Sequence, residues 1–66
     1  MELMKVKEKV LSYDGNDILN EWENDICSAF HSDSGLYIDS ELFEIMQVKT
    51  KEDVITIINY LIDRTK

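Results

Sequence analysis

Apolar residues recur at helical spacing at the start of the chain. They are separated by three, four and three positions, the repeat of one helical face: Leu3, Val6, Val10 and Tyr13. Lys and Val also alternate in this stretch, which fits a strand over Met4–Tyr13 as the alternative. The spacing predicts a first helix that buries this face.

A turn and a second amphipathic segment follow. Asp14, Gly15 and Asn16 are turn residues, because Gly and Asn adopt positive φ at little cost. Asn16 or Asp17 is then the predicted N-cap of a helix from Asp17 to Phe30. One side of this helix is apolar and consists of Ile18, Leu19, Trp22, Ile26, Ala29 and Phe30. The single Trp, on this face, is predicted to anchor the core.

The next segment predicts a turn and a short helix. Gly35 is expected to end the second helix, since Gly readily takes the left-handed conformation found there. Asp39 or Ser40 can then cap a short helix from Ser40 to about Gln47. Its inward residues are expected to be Leu42, Ile45 and Met46, with Phe43 beside that face.

The last segment predicts a helix from Thr50 to about Arg64. Thr50 and Asp53 resemble a capping box, and Arg64 and Lys66 suit a helix C-terminus. The predicted core face consists of Val54, Ile57, Ile58 and Leu61, widened by Ile55 and Ile62. The β-branched run that begins this segment favours a strand over Val54–Leu61 as the alternative.

These elements predict an all-α fold, a small bundle of three longer helices and one short helix in a single domain over residues 1–66. Its shared core is expected to contain Trp22, Phe30, Leu42, Ile58 and Leu61. The alternative is a small α+β fold in which the first and last segments pair as strands. A chain of 66 residues buries only about 60 % of its unfolded surface. We therefore predict a homodimer through Val54–Ile62, because so small a core should not cover Val54, Ile55, Ile58 and Ile62 together.

The charges are segregated along the chain, whose net charge is −7. Lys and Arg are absent from Val10 to Val48, whereas nine carboxylates lie in that stretch. On the predicted second helix, Asp17, Glu21 and Asp25 form one row at i, i+4 and i+8, and like charges at this spacing repel each other. The row has no cation within the same stretch. This layout predicts a dedicated acidic face.

Several classes of site and location are disfavoured. The single Cys27 excludes an internal disulfide, and Cys27 with His31 is too small a set for a dedicated zinc site. The Asp-rich turn lacks EF-hand spacing. No catalytic or nucleotide motif is present, so we expect neither an enzyme nor a cofactor. With no apolar run long enough to span a membrane and no signal peptide, we expect a cytoplasmic protein that binds neither membrane nor nucleic acid.

Two partial resemblances to known families can be stated. The stretch from Ile38-Asp39-Ser40 through Val48-Lys49-Thr50 to Tyr60-Leu61 resembles the end of an acyl carrier protein. That family attaches phosphopantetheine to a Ser that follows Asp and precedes an apolar residue. Here Asp33-Ser34 precedes Gly35 and Asp39-Ser40 precedes Glu41, so neither Ser matches.

The second resemblance is to the small acidic immunity proteins of nuclease colicins. It rests on Met1-Glu2-Leu3 and Ile26-Cys27. The paired tyrosines and the proline of that family's recognition helix are missing from this chain. Neither resemblance covers half of the sequence, and we assign the chain to neither family.

The charge layout favours a protein-binding module over an enzyme. Small acidic domains commonly act by covering a basic surface of a partner, as inhibitors, immunity proteins, antitoxins or nucleic-acid mimics do. Partners of this kind include nucleic-acid-processing and defence enzymes. The predicted partner-binding residues are Asp14, Asp17, Glu21, Asp25 and Glu44. The alternative is a small carrier-like or structural subunit, a degenerate acyl-carrier-like bundle whose acidity only confers solubility.

Overall fold

The computed structural model describes residues 1–39 and 41–65, which form four helices: α1 Glu2–Leu11, α2 Glu21–Ser34, α3 Leu42–Ile45 and α4 Lys51–Arg64. The described residues contain no strand, so the all-α prediction is confirmed and the α+β alternative is wrong. The radius of gyration is 10.8 Å, which equals the roughly 11 Å expected for a compact chain of this length. Ser40 and Lys66, a predicted cap and a predicted C-terminal charge, lie outside the described residues.

The core lies between α1, α2 and α4. Its buried residues are Leu3, Val10, Trp22, Ile26, Ala29, Phe30, Phe43, Val54, Ile57, Ile58 and Leu61. The apolar faces predicted for the three longer helices supply all of them except Phe43. Tyr13 packs edge-on against Trp22, with the ring centroids 5.2 Å apart. Four of the five predicted core residues are therefore buried, and Leu42 is only partly so.

The inward face of the short helix was predicted wrongly. Phe43 is buried, whereas Ile45 and Met46 are 60 % and 53 % exposed. A helix of only four residues does not establish an i, i+3, i+4 face, so the largest apolar side chain sets which way it turns. The left-handed conformation of Gln47, at φ 56°, then directs the chain away from the helix.

The second helix begins four residues later than predicted, at Glu21. Its N-cap is Asn20, whose side chain makes no capping hydrogen bond. Asp17 instead accepts a hydrogen bond from Tyr13 Oη at 2.9 Å, and Asn16 O accepts one from Lys51 N–H at 3.0 Å. The Asp17 side chain is thus used outside α2, and the Asn16 backbone is held by the first residue of α4. Asp17 is consequently not in a helical row with Glu21 and Asp25.

Gly15 is required for space, and not for the positive φ that we predicted. Gly35 is the one described Gly at positive φ. A Cβ on Gly15 would lie 2.6 Å from Asp17 Oδ1 and 2.7 Å from a ring carbon of Tyr13. The absence of a side chain therefore lets the chain pass beneath the Tyr13–Asp17 hydrogen bond.

Two predicted helix ends are confirmed. Gly35 ends α2 in the left-handed conformation, at φ 77°, and its N–H donates to His31 O at 2.8 Å. Thr50 and Asp53 form a reciprocal capping box at the start of α4. The Asp53 carboxylate also accepts from Lys49 N–H at 3.0 Å and from Thr50 N–H at 3.2 Å. These hydrogen bonds, the one from Lys49 most of all, lower the pKa of Asp53.

The apolar face of α4 that favoured a homodimer is covered within a single chain. A single chain buries Val54 and Ile58 completely and packs Ile55 and Ile62, both partly buried, against the same core. Self-association through Val54–Ile62 stays a prediction, without the uncovered face that motivated it.

Candidate functional site

The N-terminus of α1 is capped by a side chain from another helix. Asp33, near the end of α2, accepts hydrogen bonds from Glu2 N–H at 2.9 Å and Leu3 N–H at 2.8 Å. The N-cap residue Met1 provides no capping hydrogen bond of its own. Partial removal from water raises the pKa of Asp33, but the N–H donors of Leu3 and Glu2 outweigh this and lower it. The contact also fixes α1 and α2 as antiparallel.

The C-terminus of α1 is closed by Lys51, the first residue of α4. Its ammonium donates hydrogen bonds to Tyr13 O and, at 3.3 Å, to Leu11 O. A cation at these carbonyls offsets the negative end of the helix dipole. Both ends of α1 are therefore held by charged side chains from other elements.

Lys9 contacts two of the predicted acidic residues. Its Nζ lies 2.8 Å from Asp25 Oδ2 and 3.8 Å from Glu21 Oε2. The hydrogen bond to Asp25 raises the pKa of Lys9. The prediction that this row has no cation is wrong, because the antiparallel packing of α1 on α2 brings Lys9 over it. We call these contacts of Lys9, Asp33 and Lys51 the α1 seam.

The five predicted partner-binding residues lie in three structural settings. Glu21 and Asp25 belong to the α1 seam, and Asp17 is bonded to Tyr13 in the loop before α2. Asp14 is exposed in the same loop, and Glu44 is exposed on α3. Sequence spacing alone joined them, since a helix starting at Asp17 would have aligned three of them.

A second acidic site lies between α2 and α3. A cavity of about 460 Å³ there is lined by Ile18, Asn20, Glu23, Phe43, Glu44 and Val48, and we call it the α2–α3 cleft. Glu23 accepts a long hydrogen bond from Phe43 N–H, at 3.4 Å. Neither Glu23 nor Glu44 forms an ion pair with any described cation. Glu23 was not among the predicted site residues, because nothing in its spacing shows that it faces α3.

An apolar cavity of about 310 Å³ opens on the opposite side of α3. We call it the apolar groove; it is lined by Phe30, Leu36, Tyr37, Ile38, Leu42, Met46, Ile57, Tyr60, Leu61 and Arg64. It shares no lining residue with the α2–α3 cleft. The sequence analysis placed no site here, because exposed apolar residues from three separate segments build it.

Cys27 is partly buried beside carboxylates, and His31 stacks on an aromatic ring. Burial, with the nearby carboxylates of Glu23 and Asp39, raises the pKa of the Cys27 thiol, which disfavours the nucleophilic thiolate. His31 lies in the last turn of α2, as predicted, and stacks on Tyr37 with the ring centroids 4.1 Å apart. Its Nδ1 and the Trp22 Nε1 are buried without a hydrogen-bond partner among the described residues.

Two features are absent from the described part of the chain, residues 1–39 and 41–65. No group of three or more His, Cys, Asp or Glu side chains there is placed to hold a metal ion. None of its helices has the length and the apolar content needed to cross a membrane.

Comparison with models of known protein families, with curated proteins and with solved structures finds no match for this chain.

Proposed function

We propose that this protein is a small protein-binding module that covers a basic surface of a partner, with the α2–α3 cleft at the centre of the contact. The observation that carries the proposal is the pair of carboxylates in this cleft, Glu23 and Glu44, neither of which forms an ion pair with a described cation. In the α1 seam, by contrast, Glu21 and Asp25 are already paired with Lys9.

The cleft has the chemistry that a Lys or Arg side chain needs. Its apolar part, formed by Ile18, Phe43 and Val48, can pack against the methylene groups of such a side chain. Glu23 and Glu44 can then accept charge-assisted hydrogen bonds from the cationic head group.

The net charge of −7 adds a long-range contribution. Complementary charges accelerate the diffusional encounter of two proteins, and salt weakens this effect because exposed charges are screened within about 8 Å at physiological ionic strength. Partners of the predicted kind, nucleases and other nucleic-acid-processing or defence enzymes, present basic surfaces of this type.

The test begins with the protein that co-purifies with this chain from its native cells. Association and dissociation rates are measured across a salt series for wild type and two double variants of equal charge change. Glu23→Gln with Glu44→Gln should slow association about tenfold and reduce its salt dependence. Glu21→Gln with Asp25→Asn, the matched control in the α1 seam, should change association less, because Lys9 already neutralises part of that pair.

Two outcomes would contradict the proposal. If association does not depend on salt, the acidic surface only confers solubility, as in the carrier-like or structural subunit. If both double variants slow association equally, net charge acts without a contact in the α2–α3 cleft.

A further inference from the structure

The apolar groove gathers large apolar side chains that remain exposed. Leu36, Tyr37, Met46 and Tyr60 are 57 %, 83 %, 53 % and 55 % exposed. Single apolar residues on a protein surface are ordinary, but these four line one cavity. Its floor is the core itself, through Phe30, Ile57 and Leu61. Small-molecule sites are typically concave, mostly apolar and about 300–1,000 Å³ in volume, and the 310 Å³ of this groove lies within that range.

Arg64 is the one charged side chain among the described residues that line the groove. It donates from Nη1 to Tyr60 Oη at 3.3 Å, and its guanidinium carbon lies 5.7 Å from the centroid of that ring. A guanidinium has five N–H donors, so others remain for a ligand. Because Tyr60 Oη accepts the bond from Arg64, its own hydroxyl hydrogen can also be donated.

This arrangement selects the charge of the ligand. A cation would be repelled by Arg64 at contact, and an uncharged hydrocarbon would leave the donors of Arg64 and Tyr60 unused. A single carboxylate matches one guanidinium in charge and can accept from both groups. A second copy of this chain fits poorly, because each copy carries a net charge of −7 and would place its own Arg64 near the other.

We propose that the apolar groove binds a small apolar monocarboxylate. Its hydrocarbon part lies against Phe30, Met46 and Leu61, and its carboxylate accepts hydrogen bonds from Arg64 and Tyr60. The net negative charge of the protein opposes the approach of an anion, but salt screens that long-range repulsion. Arg64 is exposed, but at contact distance the ligand carboxylate lies well within the screening length of about 8 Å, so Arg64 still attracts it. This activity is separate from the proposed contact at the α2–α3 cleft, with which the groove shares no lining residue.

Octanoate is the probe, and octylammonium, with the same chain and the opposite charge, is its control. Both are titrated against the whole protein, and affinity at the groove is read from the amide chemical shifts of residues 36–38 and 57–64 in NMR spectra, because octylammonium can also bind the carboxylates of the α2–α3 cleft. Octanoate should bind at least about tenfold more tightly than octylammonium, the effect expected of one charge-assisted contact. The shifted amides should lie in residues 36–38 and 57–64. Arg64→Gln should abolish the preference for the carboxylate.

A matched pair of variants tests the apolar part. Met46 and Ile45 are neighbours with similar exposure, but only Met46 lines the groove. Met46→Ser should weaken octanoate binding severalfold, whereas Ile45→Ser should leave it unchanged, and circular dichroism checks that both variants fold. The proposal is overturned if the two head groups bind equally, if the two Ser variants behave alike, or if wild type shows no binding at millimolar octanoate. None of these results bears on association through Glu23 and Glu44.

Discussion

The carboxylates on the two long sides of α2 differ in whether a cation of the same chain pairs with them. On the side facing α1, Glu21 and Asp25 meet Lys9, and Asp33 caps the α1 N-terminus. On the side facing α3, Glu23 and Glu44 have no described cation, and the apolar groove lies beyond α3. One side is closed by contacts within the chain, and the other presents both charge and apolar surface to solvent.

This difference follows from what each side has to hold. Helix α1 has no local side-chain cap at its N-terminus, so Asp33 of α2 satisfies that end, and Lys51 of α4 adds a cation at the C-terminus. The short α3 is held mainly by burial of Phe43. The charged side chains of the α1 seam are therefore bonded within the chain, whereas those around α3 remain free to contact a ligand. The functional proposals both lie on that available side.

The largest effect should come from removing the side chain that both sides share. Trp22 is 1 % exposed beneath the α1 seam and the loop before α2. Trp22→Ala should cost roughly 3–5 kcal/mol, against a total stability of about 3–10 kcal/mol for a chain of this size. The urea midpoint should therefore fall sharply, and at the lower end of that range far-UV circular dichroism should show a mostly unfolded protein.

Tyr37→Ala is the control for this loss, because Tyr37 is an aromatic residue on the open side and is 83 % exposed. Its cost should stay within about 0.5 kcal/mol. A Trp22→Ala protein as stable as wild type would contradict the shared core and would make Trp22 a contact residue instead.

The sequence is sufficient to predict the apolar faces of the longer helices. Val54, Ile57, Ile58 and Leu61 follow the helical repeat, and burial depends on that repeat together with the Thr50 cap. Where long-range contacts compete with a local signal, the prediction fails. Asn16 and Asp17 are good caps in isolation, but the Asp17 carboxylate bonds to Tyr13 and the Asn16 backbone carbonyl bonds to Lys51 N–H.

The site is less predictable than the fold because it depends on which residues from distant segments meet. The absence of Lys and Arg from Val10 to Val48 indicated an unpaired acidic face, yet Lys9 lies just before that stretch and folds over Asp25. The apolar groove joins the segment after α2 with α3 and α4. No spacing rule in one segment reports such a juxtaposition.

A smaller effect should come from the cap that holds α1 to α2. Asp33→Ala removes the acceptor of Glu2 N–H and Leu3 N–H and should cost about 1 kcal/mol. Asp14→Ala is the matched control, because Asp14 is exposed and has no hydrogen bond to a described residue. Urea denaturation of both variants at neutral pH measures the difference. Equal stability of the two variants would show that Asp33 does not hold the α1 N-terminus.

The hydrogen bonds to Asp33, together with those to Asp53, also predict how the free energy of unfolding changes at acidic pH. The lowered pKa values of Asp33 and Asp53 in the folded state mean that the unfolded chain binds protons more readily. Their stabilisation is complete above the ordinary Asp pKa of about 3.9 and is lost as pH falls through the lower folded values. Asp33→Ala should therefore show a shallower loss of stability on acidification than wild type. A steeper loss would reverse the sign that these hydrogen bonds require.

The smallest effect tests whether the α1 seam is closed by charge. Lys9→Met keeps an apolar stem of similar length and removes the ammonium that contacts Asp25 and Glu21. Because both partners are partly exposed to solvent, the loss of thermal stability should be small and should vanish at high salt. Lys5→Met is the control, since the pair of Lys5 with Glu2 is longer and more exposed. If the loss caused by Lys9→Met persists at high salt, the Lys9 stem and not its charge packs α1 against α2. If the loss vanishes at high salt, the ammonium of Lys9 stabilises the α1 seam by its charge. Lys9→Met also leaves Glu21 and Asp25 without an ion pair, like Glu23 and Glu44, so association with a basic partner should become faster.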